Sequence, residues 1–406
     1  MRAKFEISKA KGAICVPPSK SVAHRLLISA ALSDGGVSEI INLPDCDDVV
    51  ATEAALSAFG ASFEVREDRV LVRGASMRSA EPKGEVFCNE SGSTLRFLIP
   101  IALLSGNTVT FTGAGKLMER PHKIYADIAE KKGFYYSQRD GKITVRGPLP
   151  AGEYTLAGNV SSQFITGLLF ALSTLDKDSR IVITEKIESR SYINLTISAM
   201  AEFGVVAEWI DERTIYIKGG QKYTAKSITV EGDYSSAAFI EAFNLFDGEA
   251  DTLGLSDASL QGDRVYRDIF PKLKNGFTTV DITDCPDLAP ILFAVAAAKC
   301  GAEFIGTKRL KIKESDRAEA MASELSKLGA TVEVYENRVI VKSAPLRKPN
   351  EPLCGHNDHR IVMALSVLLS LLGGEISDAE ATSKSYPEFF THLAELGIQV
   401  SLNEVK

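Results

Sequence analysis

The chain carries one arrangement six times, and nothing else in it restricts the fold as strongly. In each copy a cluster of small or polar residues runs directly into an apolar stretch of helix length. The copies are Ser19-Lys20-Ser21 before VAHRLLISAAL, Glu90-Ser91-Gly92-Ser93-Thr94 before LRFLIPIALL, and Ser161-Ser162 before QFITGLLFAL. Then come Ser235-Ser236 before AAFIEAFNLF, Pro286-Asp287 before LAPILFAVAAA, and Asn357-Asp358 before HRIVMALSVLLSLL. With Lys20, Gly92, Ser161, Ser235, Asp287 and Asp358 as marks, the steps are 72, 69, 74, 52 and 71 residues. Regular self-similarity of this kind means a supersecondary unit used repeatedly.

After each apolar run a second, amphipathic helix is expected, ending near a glycine and followed by strand–turn–strand. ATEAALSAFG leads to ASFEVREDRVLVRG, MAEFG to VVAEWIDERTIYIKG, and ASELSKLG to ATVEVYENRVIVKS. HLAELG leads to a truncated copy, and DIAEKKG and IFPKLKNG are weaker members. Glycine just past a helix is the ordinary stop signal, and endings such as VLVRG and VIVKS alternate like half-buried strands. A first helix that is apolar nearly all round belongs inside; the second, with a charged face, belongs outside. At 406 residues the chain exceeds one ordinary domain of about 100–200. The simplest assembly is therefore a mixed α/β protein of two similar domains, three βαβαββ-like repeats in each, with the 52-residue step marking a trimmed copy. A solenoid is the alternative, but these units are long for one and lack its repeat motifs.

Composition narrows the function. The net charge of −7 argues against a nucleic-acid coat or a basic membrane binder. The longest apolar stretch, Ile361–Leu372, is shorter than the ~20 residues that span a bilayer, and the N-terminus has no apolar run that would serve as a signal peptide. The six cysteines are scattered without CxxC or metal-ligand spacing. A cytoplasmic, metal-free protein with free thiols is expected.

Against this acidic background, cations gather at the helix starts. Unpaired N–H groups and about half a positive charge make a helix N-terminus an anion site, although Ser, Asn and Asp there are also ordinary caps. Lys20 and Arg25 flank Ser21, Arg96 follows Ser91-Gly92-Ser93, and Arg360 follows Asn357-Asp358-His359. Further basic clusters are Glu119-Arg120-Pro121, Lys313-Glu314-Ser315-Asp316-Arg317 and Lys384-Ser385-Tyr386-Pro387, with Arg190 beside Ser189 and Tyr192. An arginine buried on an apolar helix is costly without a partner anion. A basic focus in an acidic shell fits a small polyanionic ligand. No Walker pattern, GxGxxG, HExxH or GxSxG occurs.

Taken in order, these segments resemble the enolpyruvyl transferase family. They are Pro17-Pro18-Ser19-Lys20-Ser21 with Arg25, Glu90-Ser91-Gly92 with Arg96, Arg120-Pro121, Val160-Ser161-Ser162-Gln163, and Ser189-Arg190-Ser191-Tyr192. Glu231-Gly232-Asp233, Pro286-Asp287, the 313–317 cluster, Asn357-Asp358-His359-Arg360 and Lys384-Ser385-Tyr386-Pro387 complete the set. The match covers essentially the whole chain and is similar to the branch of the family that acts on shikimate 3-phosphate, the EPSP synthases.

That resemblance implies an inside-out α/β barrel in each of two domains, 19–230 and 1–18 with 231–406. It places the hinges near 18–19 and 230–231, and the active site in the cleft that closes on substrates. The implied reaction moves the 1-carboxyvinyl group of phosphoenolpyruvate to the 5-hydroxyl of shikimate 3-phosphate, on the route to chorismate, in a monomer without cofactor or metal. Arg25, Ser161, Ser162 and Ser189 would hold the shikimate phosphate; Ser21, Gln163 and Tyr192 its carboxylate and ring; Lys313 would assist. Gly92, Arg120, Gln163, Arg317, Arg360 and Lys384 would hold phosphoenolpyruvate, with Lys20 between the substrates. Asp287 would be the base for the 5-hydroxyl and Glu314 the acid for C3, a role that needs a carboxyl kept protonated by burial against the pull of nearby cations.

Three positions depart from the family pattern: Pro18 stands for a usual Gly, Glu90 for a frequent Asn, and Arg309 for an Asn of some members. The sister enzyme acting on UDP-N-acetylglucosamine usually has a cysteine before its Arg-Pro motif, and Lys116-Leu117-Met118-Glu119 has none. An RNA-end cyclase would need a nucleotide site and a histidine nucleophile. A catalytically dead binding protein is argued against by intact Lys20, Asp287, Glu314 and Lys384.

Overall fold

The computed structural model describes residues 1–404 apart from Pro121, of the Arg120-Pro121 motif, and Val160. The chain divides into two compact units, Pro18–Glu231 and Met1–Pro17 with Gly232–Lys406. The boundaries thus fall one residue outside 19–230. Each unit has its own hydrophobic core.

Among the described residues twelve α-helices form six pairs. In the 18–231 unit they are α1 (Lys20–Ala31) with α2 (Asp47–Ala58), α3 (Gly92–Ala102) with α4 (Lys123–Lys132), and α5 (Ser162–Leu172) with α6 (Arg190–Glu202). In the other they are α7 (Tyr234–Glu241) with α8 (Tyr266–Asn275), α9 (Ala289–Ala298) with α10 (Arg317–Lys327), and α11 (His359–Leu372) with α12 (Phe389–Glu395). The first helix of each pair is buried along most of its length, as residues apolar on every face require. Gly167 lets α5 approach α3: a Cβ there would lie 2.5 Å from the Arg96 carbonyl oxygen. The second helices keep exposed faces; α4 ends on Gly133 in the left-handed conformation.

The 18–231 unit wraps three four-stranded sheets of identical order around these helices. The middle one runs Glu85–Phe87, Thr108–Thr112, Lys142–Arg146, Tyr135–Arg139, its first pair parallel and the rest antiparallel. Such a parallel pair needs the buried helix as its crossover.

In the other unit only Thr278–Asp281, Ala302–Ile305, Arg338–Lys342 and Thr331–Tyr335 repeat that order in full. The expected strand–turn–strand after IFPKLKNG does not form: α8 leads within three residues into the opening strand of the next repeat, which accounts for the 52-residue step. Glu249–Leu253 is left with one partner, Lys11–Cys15. The last repeat is completed by Arg2–Phe5, which lies between Gly374–Ser377 and Val400–Asn403. The two crossings therefore exchange strands. Lys11–Cys15 precedes α1 in sequence but pairs with Glu249–Leu253, and Ser227–Thr229 precedes α7 but pairs with Val37–Ile41 of the first repeat. The architecture is a two-domain, inside-out α/β fold with helices within and sheets outside. No described helix is long and apolar enough to cross a membrane.

Candidate active site

In the 18–231 unit the predicted residues cluster at the N-termini of α1, α3, α5 and α6. Lys20 opens α1 and donates to Asp48 Oδ2 at 2.8 Å, both side chains mostly buried. Behind it a hydroxyl thread ties the helices together: His24 Nδ1 to Thr52 Oγ1 at 2.7 Å, Thr52 to Thr94 at 2.6 Å, and Thr94 to Ser91 Oγ at 2.7 Å. Burial, with Lys20 and Arg25 adding to it, holds His24 well below its ordinary pKa, so the ring is neutral.

Arg25 is nearly inaccessible, yet among the described residues no carboxylate meets it. Its Nε donates to Thr196 Oγ1 at 2.9 Å, Nη1 to the Ser21 carbonyl at 2.5 Å and Nη2 to the Tyr192 carbonyl at 3.1 Å. The guanidinium also lies over the rings of Phe97 and Tyr192. Burial lowers its pKa to about 10, which still leaves it charged at neutral pH. Neutral groups and two rings hold it.

Ser161 caps α5, accepting the Gln163 N–H, and Ser162 is buried in the first turn. Gln163 bridges two helices: its Oε1 accepts from Arg96 Nη1 at 2.6 Å and its Nε2 donates to Ser93 Oγ at 2.9 Å. A Cβ at Gly92 would stand 3.1 Å from Arg120 Nη1 and 3.6 Å from both Arg96 Nη1 and Gln163 Oε1. Gly92, Arg96, Arg120 and Gln163 therefore share one small space. Ser189 is buried ahead of α6 at φ +57°. Arg190 turns from this group to lie over Trp209 and donate to the Glu212 carbonyl. Glu90 packs on the turn at Gly115, where a Cβ would come within 2.7 Å of its carboxyl carbon.

The other unit is organised around Asp287. A 3-10 turn, Pro286–Leu288, precedes α9, and Asp287 does not cap that helix. Its Oδ1 accepts from Lys313 Nζ at 3.0 Å and Arg317 Nη1 at 2.7 Å, and its Oδ2 from Arg360 Nη2 at 3.2 Å. Burial pushes this carboxyl up, but Lys313, Arg360 and Arg317 together hold it well below the usual range. Arg317, 1% exposed, also donates to Glu314 Oε2 and, through Nε, to Asp358 Oδ2, each at 2.8 Å. Asp358 caps α11 through the Arg360 N–H and accepts the Ser315 hydroxyl. Lys384 Nζ donates to the Asn357 carbonyl at 2.8 Å. Arg309 is buried and donates to the Thr283 carbonyl. His359 is buried, with Nδ1 3.9 Å from Asp358.

Sequence reasoning missed Asp48 as the partner of Lys20, and it quoted Asp358 in a motif without giving it the Arg317 contact. Asp48 and Asp358 stand at helix starts, where an acid is indistinguishable from an ordinary cap or dipole partner.

The family model for EPSP synthase (3-phosphoshikimate 1-carboxyvinyltransferase) matches residues 5–393. The chain is 40% identical to the 3-phosphoshikimate 1-carboxyvinyltransferase of Clostridium kluyveri, over 97% of this chain and 96% of that one. It is 41% identical to the enzyme of that name from Clostridium beijerinckii, over 97% of each. Its fold is similar to the solved EPSP synthase of Acinetobacter baumannii, with TM-score 0.77, 22% identity, and coverage of 99% and 100%. The enolpyruvyl transferase NikO of Streptomyces tendae shares the fold at TM-score 0.78 and 12% identity, covering 98% of each chain. By this match along nearly its whole length, the chain belongs to the EPSP synthase family.

Proposed function

We propose that this chain joins the 5-hydroxyl oxygen of shikimate 3-phosphate to C2 of phosphoenolpyruvate, yielding 5-enolpyruvylshikimate 3-phosphate and phosphate. Addition protonates C3 and takes the hydroxyl proton; elimination returns a proton from C3 as phosphate leaves C2. The observation that carries the reading is Asp287: a carboxylate in contact with three cations, where a helix cap was the bland expectation.

Arg25, which meets no carboxylate among the described residues, is suited to the shikimate phosphate together with Ser161, Ser162 and Ser189. Ser21, Gln163 and Tyr192 would orient the carboxylate and ring. Arg120 and the Gly92 backbone from one unit, and Arg317, Arg360 and Lys384 from the other, would take phosphoenolpyruvate. Arginine forks match carboxylate and phosphate in a way lysine does not. Lys20, steadied by Asp48, would neutralise charge between the substrates.

Asp287 would be a weak base while all three cations serve it. An anion on Arg317 and Arg360 offsets their charge and restores basicity just when the 5-hydroxyl is present. The same anion would compete with Glu314 for Arg317, freeing that carboxyl to act at C3, while Lys313 stays on Asp287. The six cysteines are unbridged, which suits a reducing cytoplasm.

The test is phosphate release by the purified protein. It should require shikimate 3-phosphate and phosphoenolpyruvate together and persist with a chelator present. Turnover with UDP-N-acetylglucosamine in place of shikimate 3-phosphate would overturn the reading.

A further inference from the structure

Asp263 has no part in this reaction, yet it lies beside the residues that do. It sits in the helical turn Gly262–Val265 ahead of α8 and is 2% exposed. Its Oδ2 accepts the hydroxyl of Ser235 from the first turn of α7; its Oδ1 is buried and has no hydrogen-bond partner. No lysine or arginine among the described residues bonds to it. The charged groups around it are Asp287 ahead of α9, Asp233 at the cap of α7 and Arg360 on α11. Cys285, the other titratable group within its field, is held as a thiol by burial. Arg360 is buried as well, and its Nε and Nη1 have no hydrogen-bond partner.

A carboxylate shut away from water and unbonded to any cation favours the neutral acid. Burial first, then Asp287, push Asp263 up to about 7, against the opposing pull of Arg360 and the Ser235 hydroxyl. Near neutral pH it is therefore part ionised, and that charge competes with any anion approaching Arg360.

Resting on the transferase reading above, we propose that Asp263 is a positioning residue that sets the charge at Arg360, its carboxyl taking up a proton when the carboxylate of phosphoenolpyruvate occupies that guanidinium. Asp287 is ionised throughout this range and Cys285 is neutral, so neither supplies the proton change. An ionised Asp263 opposes binding and a protonated one does not. Affinity for phosphoenolpyruvate must then weaken as pH rises through 7.

Two readouts test this. In steady-state kinetics at saturating shikimate 3-phosphate, the wild-type KM for phosphoenolpyruvate should rise at least about threefold between pH 7 and 8.5, as expected for a carboxyl shifted by about one pKa unit on binding. Asp263→Asn should flatten that rise. Ser235→Ala, which removes a hydroxyl that stabilises the ionised carboxyl, should move it to higher pH. In infrared difference spectra, a protonated-carboxyl band absent from Asp263→Asn should fade between pH 6 and 9 and return when phosphoenolpyruvate is added to wild type with shikimate 3-phosphate at pH 8. The proposal falls if Asp263→Asn keeps the wild-type profile, if Ser235→Ala leaves it unmoved, or if no such band exists. A band that answers phosphoenolpyruvate in a protein without turnover would sink the transferase reading and leave this one standing.

Discussion

Arg25 of 18–231 and the Lys313, Arg317 and Arg360 group of the other unit meet burial in opposite ways. In 18–231, Arg25 is surrounded by a hydroxyl, two carbonyls and two rings, so its charge remains available to a ligand. In the other unit Lys313, Arg317 and Arg360 each touch a carboxylate, and Asp287 touches all three. The same fold, built from the same repeat, leaves one buried guanidinium among neutral groups and gathers three other cations around one carboxylate. Binding strength should reside mainly in the first and proton transfer in the second.

The sharpest way to break this division is Asp287→Asn. The amide keeps the shape but cannot take a proton, and general base catalysis is worth about 10²–10⁴ in rate. The expected result is kcat lower by that factor, with KM for phosphoenolpyruvate unchanged or lower, because three cations lose a competing carboxylate. A variant retaining more than about a tenth of wild-type kcat would fall outside that range and make Asp287 structural.

The complementary change is Arg120→Ala, beside Gly92 in 18–231. Losing a hydrogen bond from a charged group costs about 1.5–3 kcal/mol, so KM for phosphoenolpyruvate should rise roughly 10- to 150-fold. The effect on kcat should be much smaller. If kcat falls instead while KM holds, Arg120 serves the chemical step rather than binding.

How much of this contrast was readable beforehand depends on which interactions are local. The six buried helices were legible because LAPILFAVAAA and its counterparts are apolar on every face. The missing hairpin after α8 was not, since the expectation came from the other copies and only the 52-residue step hinted at it. Nor was the strand exchange: KGAIC alternates weakly and runs into α1, and alternation says nothing about which strand will be its partner. In the site, the cations stood out because Lys and Arg are unusual at helix starts. Their counter-charges did not, because Asp48 and Asp358 occupy positions where an acid is unremarkable.

The smallest effect concerns pH and stability, and it separates the units without reference to substrates. Burial, then Arg96, lowers His122 to about 4, and His24 lies well below its ordinary value for the same leading reason; both belong to 18–231. A histidine depressed on folding supports stability fully above its unfolded pKa of about 6.5 and loses that support as pH falls toward the folded value. At pH 5 each should cost roughly 1–2 kcal/mol. Glu53 in the same unit runs the other way, since burial raises it to about 7 and protonation relieves it. In the second unit Asp263 likewise gains on acidification, whereas Asp287 and Glu324, both held low, give up their contribution only as pH drops below the ordinary carboxylate range. Between pH 7 and 5, after correction for intrinsic rates, hydrogen exchange should therefore quicken about tenfold in α1, α3 and α4 and hardly at all in α9 and α11. His122→Gln, which can keep the bond to the Leu117 carbonyl but cannot titrate, should remove most of the loss, because the Glu53 gain already offsets about one histidine. Equal loosening in both units at pH 5 would mean that the acid response is global, and that the neutral polar interior of 18–231 sets no separate limit on its stability.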